Sequence, residues 1–493
     1  MRYIKITTSL LVIFMLSIVS CSEFDTINDN LNSPQNATID VVLTAAQYTQ
    51  MDDFGGFGTG FWGLFSQHQA GNHARGINYD RYIITHSDEN GFFTGLYLGP
   101  LKDYQYIMEV AEENGSNHYL GIAKVMTAFG LATLTDIYGD IPWSEAFNTE
   151  NETPAYDSQE FVYSEIIRLL KEGIAHFGQD SYMAVGSNDL IYGGDMDKWT
   201  ALANLLLARN LNHLSKKSSY NPSDVLKYVD AAKAAGAVVG GDWDFKMNYE
   251  GTASSRNRWG THWENNTVIA SKVMMDMMLV DTGENNPNPT YPEATENSDP
   301  RLEAYWDNYN FDGMLVGYKG KPNGFGITSE SFSPIGPDGV FGAYDSPIYV
   351  ATVIEMLFIE SEAAYAAGDL DRAASALNEA VTASVTQNSI GAGVDRAPAY
   401  LAAHAAETAG TVTLEKIMTQ KWLGIFPLEP EAWVDARRHD YAYPEEIAIP
   451  INDSGDPIAS DWIRRFLYPQ DELNKNRSNV PDATIFDKLW WDQ

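Results

Sequence analysis

The chain has 493 residues, with 67 acidic and 32 basic side chains and a formal net charge of −35. A surface of this sign repels phosphate backbones, so the composition argues against nucleic-acid binding. The single cysteine excludes an intrachain disulfide. The 12 Trp, 27 Tyr and 21 Phe are enough for an aromatic binding surface in addition to a core.

The N-terminus has the layout of a secretory signal. Arg2 and Lys5 precede an apolar run over residues 10–19, which is too short to span about 30 Å of hydrocarbon. The following Ile18-Val19-Ser20-Cys21 is similar to a bacterial lipobox. We therefore expect residues 1–20 to be a cleaved lipoprotein signal peptide and Cys21 to carry the lipid that attaches the chain to a membrane. We expect no second stretch to be long or apolar enough to span one.

Residues 21–38 are rich in Asp, Asn and Ser and are predicted to form a polar tether, and helical periodicity begins at about residue 39. The clearest predicted helices cover residues 118–137, 159–177 and 198–214. Asp157 and Glu160 are interpreted as a capping box for the second of these helices. Small residues between positions 121 and 132 are expected to let neighbouring helices approach closely.

Residues 240–345 form a long loop-rich region with a few short strands, because Gly, Pro, Asn and aromatic residues replace the helical pattern there. Helix is predicted to return at Tyr349. Residues 364–373 are typical of the turn between two tetratricopeptide-repeat helices, with Gly368-Asp369 forming the bend. The predicted fold is mainly α, a tetratricopeptide-like helical-repeat scaffold with a long irregular loop-rich region, in one domain over residues 39–493.

Several motifs follow one another in order through most of the chain. They are LTDIYGDIPWSEA at 134–146, Asp299-Pro300-Arg301, Gln420-Lys421-Trp422, Glu431-Ala432-Trp433 with Arg437-Arg438, and RRFLYP at 464–469. Together they resemble the SusD/RagB family of nutrient-binding outer-membrane lipoproteins. None of the motifs is a catalytic signature, and we expect them to form buried polar clamps at helix ends.

The resemblance implies a protein on the outer face of the outer membrane, above a SusC-type TonB-dependent transporter. Such proteins capture oligosaccharides, or peptides, and pass them to the transporter for nutrient uptake. The resemblance implies no enzymatic activity, and we assign no cofactor and no metal. The identity of the nutrient does not carry over from the family.

The alternative is a helical-barrel glycoside hydrolase anchored as a lipoprotein. Such an enzyme would also be acidic, helical and aromatic, and it needs two carboxylates about 5–10 Å apart. With 67 acidic residues, pairs such as Glu429 and Glu431 arise by chance, and the ordered motifs favour the binding protein.

Two further patterns have simpler explanations than a cofactor or metal site. The glycines at 58, 60 and 63 match a dinucleotide-binding fingerprint by letter, but no strand precedes them, so a flexible aromatic loop is expected. His68 and His73 are interpreted as ordinary polar packing rather than zinc ligands.

A neutral sugar presents apolar ring faces, which stack on aromatic side chains, and hydroxyl edges, which polar side chains satisfy. Two segments of the chain combine both kinds of side chain. The predicted ligand-binding residues are Trp62, Gln67, His68, Asn72, Arg75 and Tyr79 in the first segment, and Trp259, Trp263, Trp306, Tyr309 and Tyr318 in the second. For each residue taken singly, burial in the core is the competing interpretation.

Overall fold

The computed structural model describes residues 37–88, 90–260, 267–282, 290–308, 316–336 and 339–493. The α-helices are α1 (Ile39–Asp53), α2 (Thr59–Trp62), α3 (Ala74–Asp80), α4 (Asn90–Leu96), α5 (Lys102–Asn114), α6 (Asn117–Tyr138), α7 (Gln159–Phe177), α8 (Met196–His213), α9 (Pro222–Ala234), α10 (Lys272–Leu279), α11 (Leu302–Tyr305), α12 (Val353–Ala367), α13 (Leu370–Asn388), α14 (Gly393–His404), α15 (Leu414–Gly424), α16 (Glu429–Arg438) and α17 (Gln470–Lys475). The strands are β1 (Gln69–Gly71), β2 (Phe245–Met247), β3 (Val268–Ala270) and β4 (Ile348–Ala351). Short π-helical segments cover Phe54–Gly58 and Tyr97–Leu101, and 3-10 turns cover Leu214–Lys216 and Trp490–Asp492.

Helices that follow one another along the chain pack side by side. α5 packs on α6, α6 on α7, α7 on α8 and α8 on α9, while α9 packs on α12 and α12 on α13. The series therefore continues across the loop-rich region that separates α9 from α12 in sequence. This order of packed helix pairs confirms the predicted tetratricopeptide-like scaffold.

Two glycines make a close contact between α6 and α7. A Cβ atom on Gly121 of α6 would lie 2.5 Å from the ring of Phe177 and 3.1 Å from the carbonyl oxygen of Gly173 on α7. A Cβ atom on Gly173 would in turn lie 2.8 Å from Val125. The two backbones meet because neither residue has a side chain, which confirms the predicted close approach.

The predicted repeat turn is also confirmed. Gly368 has φ of 78°, a left-handed conformation that favours glycine, and ends α12. The side chain of Asp369 accepts a hydrogen bond from the Arg372 N–H at 3.2 Å and caps α13. Each of these two residues therefore has the local role that its place in the motif predicted.

Two predicted helix starts were wrong. Ser158, not Asp157, caps α7, because its hydroxyl accepts from the Phe161 N–H at 3.3 Å. The Asp157 carboxylate instead accepts the N–H groups of Trp143 at 3.0 Å and Ser144 at 2.7 Å. Tyr349 lies in β4 rather than in a helix, since β4 pairs with β2 before α12 begins.

α6 corrects the expectation that no second stretch would suit a membrane. Among the residues described, it is the one helix with the length and apolar composition to cross a bilayer. However, 89% of its most apolar 18-residue stretch is buried inside the protein, as expected of the central helix of a folded core.

Among the residues described, the loop-rich region contributes one strand to each of two short antiparallel sheets and most of a second hydrophobic core. β1 pairs with β3, with Gln69 opposite Ala270, and β2 pairs with β4. A second hydrophobic cluster joins side chains of α10 and α11 to Trp259, Phe341 and Phe426. The predicted short strands are present, and this second core attaches the region to the C-terminal helices.

Candidate functional site

The structure brings the two predicted ligand-binding segments together. The antiparallel pairing of β1 with β3 places residues 69–71 beside residues 268–270. The Ser271 hydroxyl also donates to the carbonyl of Gln67 at 2.5 Å, and the Asn72 N–H donates to the carbonyl of Thr267 at 2.9 Å. Segments far apart in sequence therefore form one continuous region of the fold.

Most of the predicted side chains are buried within that region. Those less than 10% exposed are Trp62, Gln67, His68, Tyr79, Trp259, Trp306 and Tyr318. Asn72 is half-buried and Arg75 is exposed, while Trp263 and Tyr309 lie outside the described residues. An aromatic ring with both faces packed against protein has no face free to stack on a sugar. The ligand-binding role of this set therefore stays a prediction.

The buried members have clear packing partners. His68 Nδ1 lies 2.9 Å from the carboxylate of Glu429, and its Nε2 lies 2.8 Å from the carbonyl oxygen of Trp422. Trp259 and Trp306 both pack on the ring of Phe426, with centroids 5.7 and 5.2 Å away. His68 is thus a polar contact within the core, as its interpretation predicted.

A surface cleft with a volume of about 350 Å³ lies between α10 and the segment 316–332. We call it the α10 cleft. Its apolar lining consists of Met275, Leu279, Pro292, Tyr318, Pro322, Phe325 and Phe332. Its polar lining consists of Lys272, Asp276, Thr282, Thr290, Lys319, Thr328 and Glu330, with Gly320. Tyr318 is the one described residue of the predicted set that lines it.

Charges in the α10 cleft are paired. Lys319 Nζ lies 2.9 Å from Glu330 and 5.1 Å from the ring centroid of Tyr291. Lys272 forms an ion pair with Asp276 one turn further along α10. Burial raises the pKa of the Tyr318 hydroxyl above its ordinary value, so it stays protonated. The cleft therefore offers donors, acceptors and aromatic surface with little net charge.

The motif residues of α16 lie in buried ionic networks. Glu431 contacts His213 Nε2 at 2.9 Å and Arg209 Nη1 at 3.4 Å. Burial alone would lower the pKa of His213, but Glu431 and Asp136 raise it to about 9. Burial would raise the pKa of Glu431, but Arg209 and His213 lower it to about 2. Such residues hold helices together, which confirms the predicted clamps.

The two carboxylates named for the hydrolase alternative both have close polar partners inside the protein. Glu429 is fully buried and contacts His68, and Glu431 is 9% exposed and contacts His213 and Arg209. The π-helical and helical backbone over 54–62 replaces the loop expected at the dinucleotide-like glycines. Within the described ranges, no group of three or more His, Cys, Asp and Glu side chains suits a metal ion.

Most residues of the α10 cleft were not predicted from the sequence. Phe325, Thr328 and Glu330 follow Tyr318 within one irregular segment, where aromatic and polar residues alternate without a motif. This mixture inside the loop-rich region was the signal that could have indicated the cleft. The prediction selected the large Trp side chains of the region instead.

The sequence matches the SusD-like family model, described as starch-binding and associating with the outer membrane, over residues 31–469. The chain belongs to the SusD-like family. No protein with a curated description matches the sequence.

Several solved structures share the fold of this SusD-like chain. A SusD/RagB family protein from Bacteroides thetaiotaomicron is 21% identical with a TM-score of 0.73, over 93% of this chain and 99% of that one. A chitin-binding SusD homolog from Flavobacterium johnsoniae is 21% identical with a TM-score of 0.70, over 92% and 98%. Another structure, named a chitin-binding protein, is 24% identical with a TM-score of 0.72, over 92% and 100%. At these identities the likeness establishes the fold.

Proposed function

We propose that this SusD-like chain is a non-enzymatic lipoprotein on the outer face of the outer membrane. It captures oligosaccharides in the α10 cleft and delivers them to a SusC-type TonB-dependent transporter. The observation that carries the proposal is the cleft itself, which combines aromatic surface with ion-paired polar side chains. The family description and the chitin-binding names of two structural relatives support a glycan as cargo.

The chemistry of the α10 cleft suits a neutral sugar. Phe325 is half-buried and lines the cleft, so its ring can cover the apolar face of a pyranose. Thr328, Lys319 and Glu330 supply donors and acceptors for hydroxyl groups. An anionic glycan would be repelled by a chain of net charge −35. It would also gain little attraction from Lys272 and Lys319, because both already form ion pairs.

The expected affinity is low. Each aromatic contact contributes about 0.5–1.5 kcal/mol, and two or three of them with a few hydrogen bonds lead to roughly micromolar to millimolar binding, or about −8 to −4 kcal/mol. Weak capture is compatible with release to a transporter, because the cargo has to leave again.

Calorimetric titration of residues 22–493 tests the proposal. The ligands are chito-oligosaccharides, malto-oligosaccharides, other plant and algal glycans and short peptides, and the products are analysed after each titration. Saturable binding of an intact glycan is the expected result. Cleaved products would favour the hydrolase, binding of peptides alone would change the cargo class, and no binding at all would contradict glycan capture by this chain.

A matched pair of variants tests the place of binding. Phe325→Ala is expected to weaken glycan affinity about 2- to 12-fold, the equivalent of one aromatic contact. Phe161→Ala removes a ring that is 41% exposed on α7, away from the α10 cleft, and should leave affinity unchanged. Equal affinities for both variants would remove Phe325 from the site.

The anchor is tested separately. Cys21→Ser should move the protein from the membrane fraction to the soluble fraction, whereas Ser22→Ala should leave it in the membrane. Protease treatment of intact cells should degrade the wild-type chain. Full protection would indicate the periplasmic face instead.

A further inference from the structure

One wall of the α10 cleft is an irregular segment that is held in place by hydrogen bonds to buried residues behind it. We call residues 319–325 the cleft wall; Lys319, Gly320, Pro322 and Phe325 of this segment line the cleft. The intervening Lys321 and Asn323 point away from the cleft into the protein, where they are 0% and 6% exposed. The position of the lining side chains therefore depends on what holds these two residues.

The main buried partner of the cleft wall is Asp80, the last residue of α3, which is 0% exposed. Its carboxylate accepts hydrogen bonds from Asn323 Nδ2 at 2.7 Å, from the Gly324 N–H at 2.8 Å and from the Gly71 N–H at 3.1 Å. Two donors belong to the cleft wall and the third to β1. One carboxylate thus joins the wall to the sheet that connects the two predicted segments.

Two further hydrogen bonds also join the cleft wall to β1. Asn323 Nδ2 also donates to the carbonyl of Gln69 at 2.8 Å, and Lys321 Nζ donates to the carbonyl of Gly71 at 2.7 Å. On the other side, a Cβ atom on Gly324, whose φ is +85°, would lie 2.5 Å from the carbonyl oxygen of Ile451. The wall is therefore held between β1 and residue 451, with Asp80 at its base.

Several charged or titratable groups of the described residues lie near this junction. Lys321 lies on the wall, Arg81 and Tyr82 follow Asp80, and Asp453 accepts from the Gly326 N–H at 2.7 Å. Burial raises the pKa of Asp80 to about 6, against the lowering by its N–H donors and Lys321. Ionised Asp80 makes charge-assisted hydrogen bonds, which are stronger than those of the protonated form.

We propose that Asp80 is a positioning residue of the α10 cleft, whose carboxylate holds the cleft wall, and with it Phe325 and Lys319, in the geometry that binds ligand. It does not touch the ligand. The ligand part of this inference rests on the proposed function, while the fastening of the wall does not.

Hydrogen exchange of the mature chain tests the fastening without any ligand. In Asp80→Asn, which retains only one of the two acceptor oxygens, the amides of 319–325 are expected to exchange about tenfold faster at pH 7.5, as for the loss of about 1.4 kcal/mol. The matched control is Asp189→Asn, another buried carboxylate, which accepts from Gln47 Nε2 and Trp199 Nε1 in the helical scaffold. Unchanged exchange of the wall in Asp80→Asn would overturn the proposal.

A second variant tests the proposal if Asp80→Asn does not fold. Asn323→Ala removes one donor from the wall and leaves Asp80 in place, and it should also speed exchange of 319–325. Exchange at the wild-type rate in this variant would overturn the proposal as well.

Titration with chitohexaose and maltoheptaose at pH 7.5 tests the effect on binding. Asp80→Asn should bind about tenfold more weakly than the wild type. Wild-type affinity in Asp80→Asn would overturn the positioning role. If neither sugar binds the wild-type chain, the proposed function fails for these ligands, and hydrogen exchange still decides whether Asp80 holds the wall.

Discussion

The buried ion pairs of α16 make it possible to test whether the motif residues are structural. Arg438 is 1% exposed, and its guanidinium forms ion pairs with Glu362 and, at 2.8 Å, with Asp435. It also donates to the Ser215 hydroxyl at 3.2 Å. The pKa of Glu362 is held well below its ordinary value by Arg438, against the raising effect of burial.

Arg438→Met retains much of the side-chain volume and removes the charge. Loss of one partner of a buried ion pair destabilises a protein by about 3–5 kcal/mol. Lys421 remains 2.8 Å from Asp435 and 4.0 Å from Glu362, so we expect the lower end, about 3 kcal/mol. The control is Arg477→Met, which removes an exposed pair with Asp482 and is expected to cost less than about 1 kcal/mol.

Urea unfolding followed by circular dichroism measures both variants. The midpoint of Arg438→Met should fall with an unchanged slope, as expected when stability alone changes. Its glycan affinity under folding conditions should equal that of the wild type. A stability loss no larger than that of Arg477→Met, or a weakened affinity in the folded variant, would refute the structural role.

Three further predictions concern the scaffold. Gly121→Val should cost about 1–3 kcal/mol because the new side chain meets Phe177, whereas Gly186→Ala, with nothing within 4 Å, should stay within about 0.5 kcal/mol in urea midpoints. Because the pKa of His213 rises from 6.5 to about 9, its stabilisation of about 3 kcal/mol is complete below pH 6.5 and lost as the pH rises through 9. His213→Gln should flatten that part of the stability curve. Asp369→Ala should cost about 1 kcal/mol by removing the α13 cap; an unchanged thermal midpoint would contradict it.

Local patterns were enough to predict the helices and the repeat turn. The predicted bounds of α7, 159–177, match the structure, because the 3.6-residue period of apolar side chains is a property of the segment itself. The bend at Gly368-Asp369 depends on one left-handed residue and one cap, both local. The cap of α7 was missed because Asp157 satisfies Trp143 and Ser144 instead, a choice that depends on a preceding loop.

The candidate site was predicted only in part. The sequence indicated the loop-rich region and Tyr318, but it did not separate ligand-facing rings from core rings. Trp259 and Trp306 are buried because Phe426, from the C-terminal part of the chain, packs against both. Their exposure is therefore set by a contact that no local pattern encodes.

The sequence by itself determined the family and the helical scaffold, since both depend on ordered motifs and on periodicity within segments. The tertiary structure decided the site. It paired β1 with β3, buried most of the predicted aromatic side chains and placed Phe325 and Lys319 on a wall held by Asp80. These features arise from contacts between segments far apart in the chain, and only the folded molecule sets which side chains remain open to a ligand.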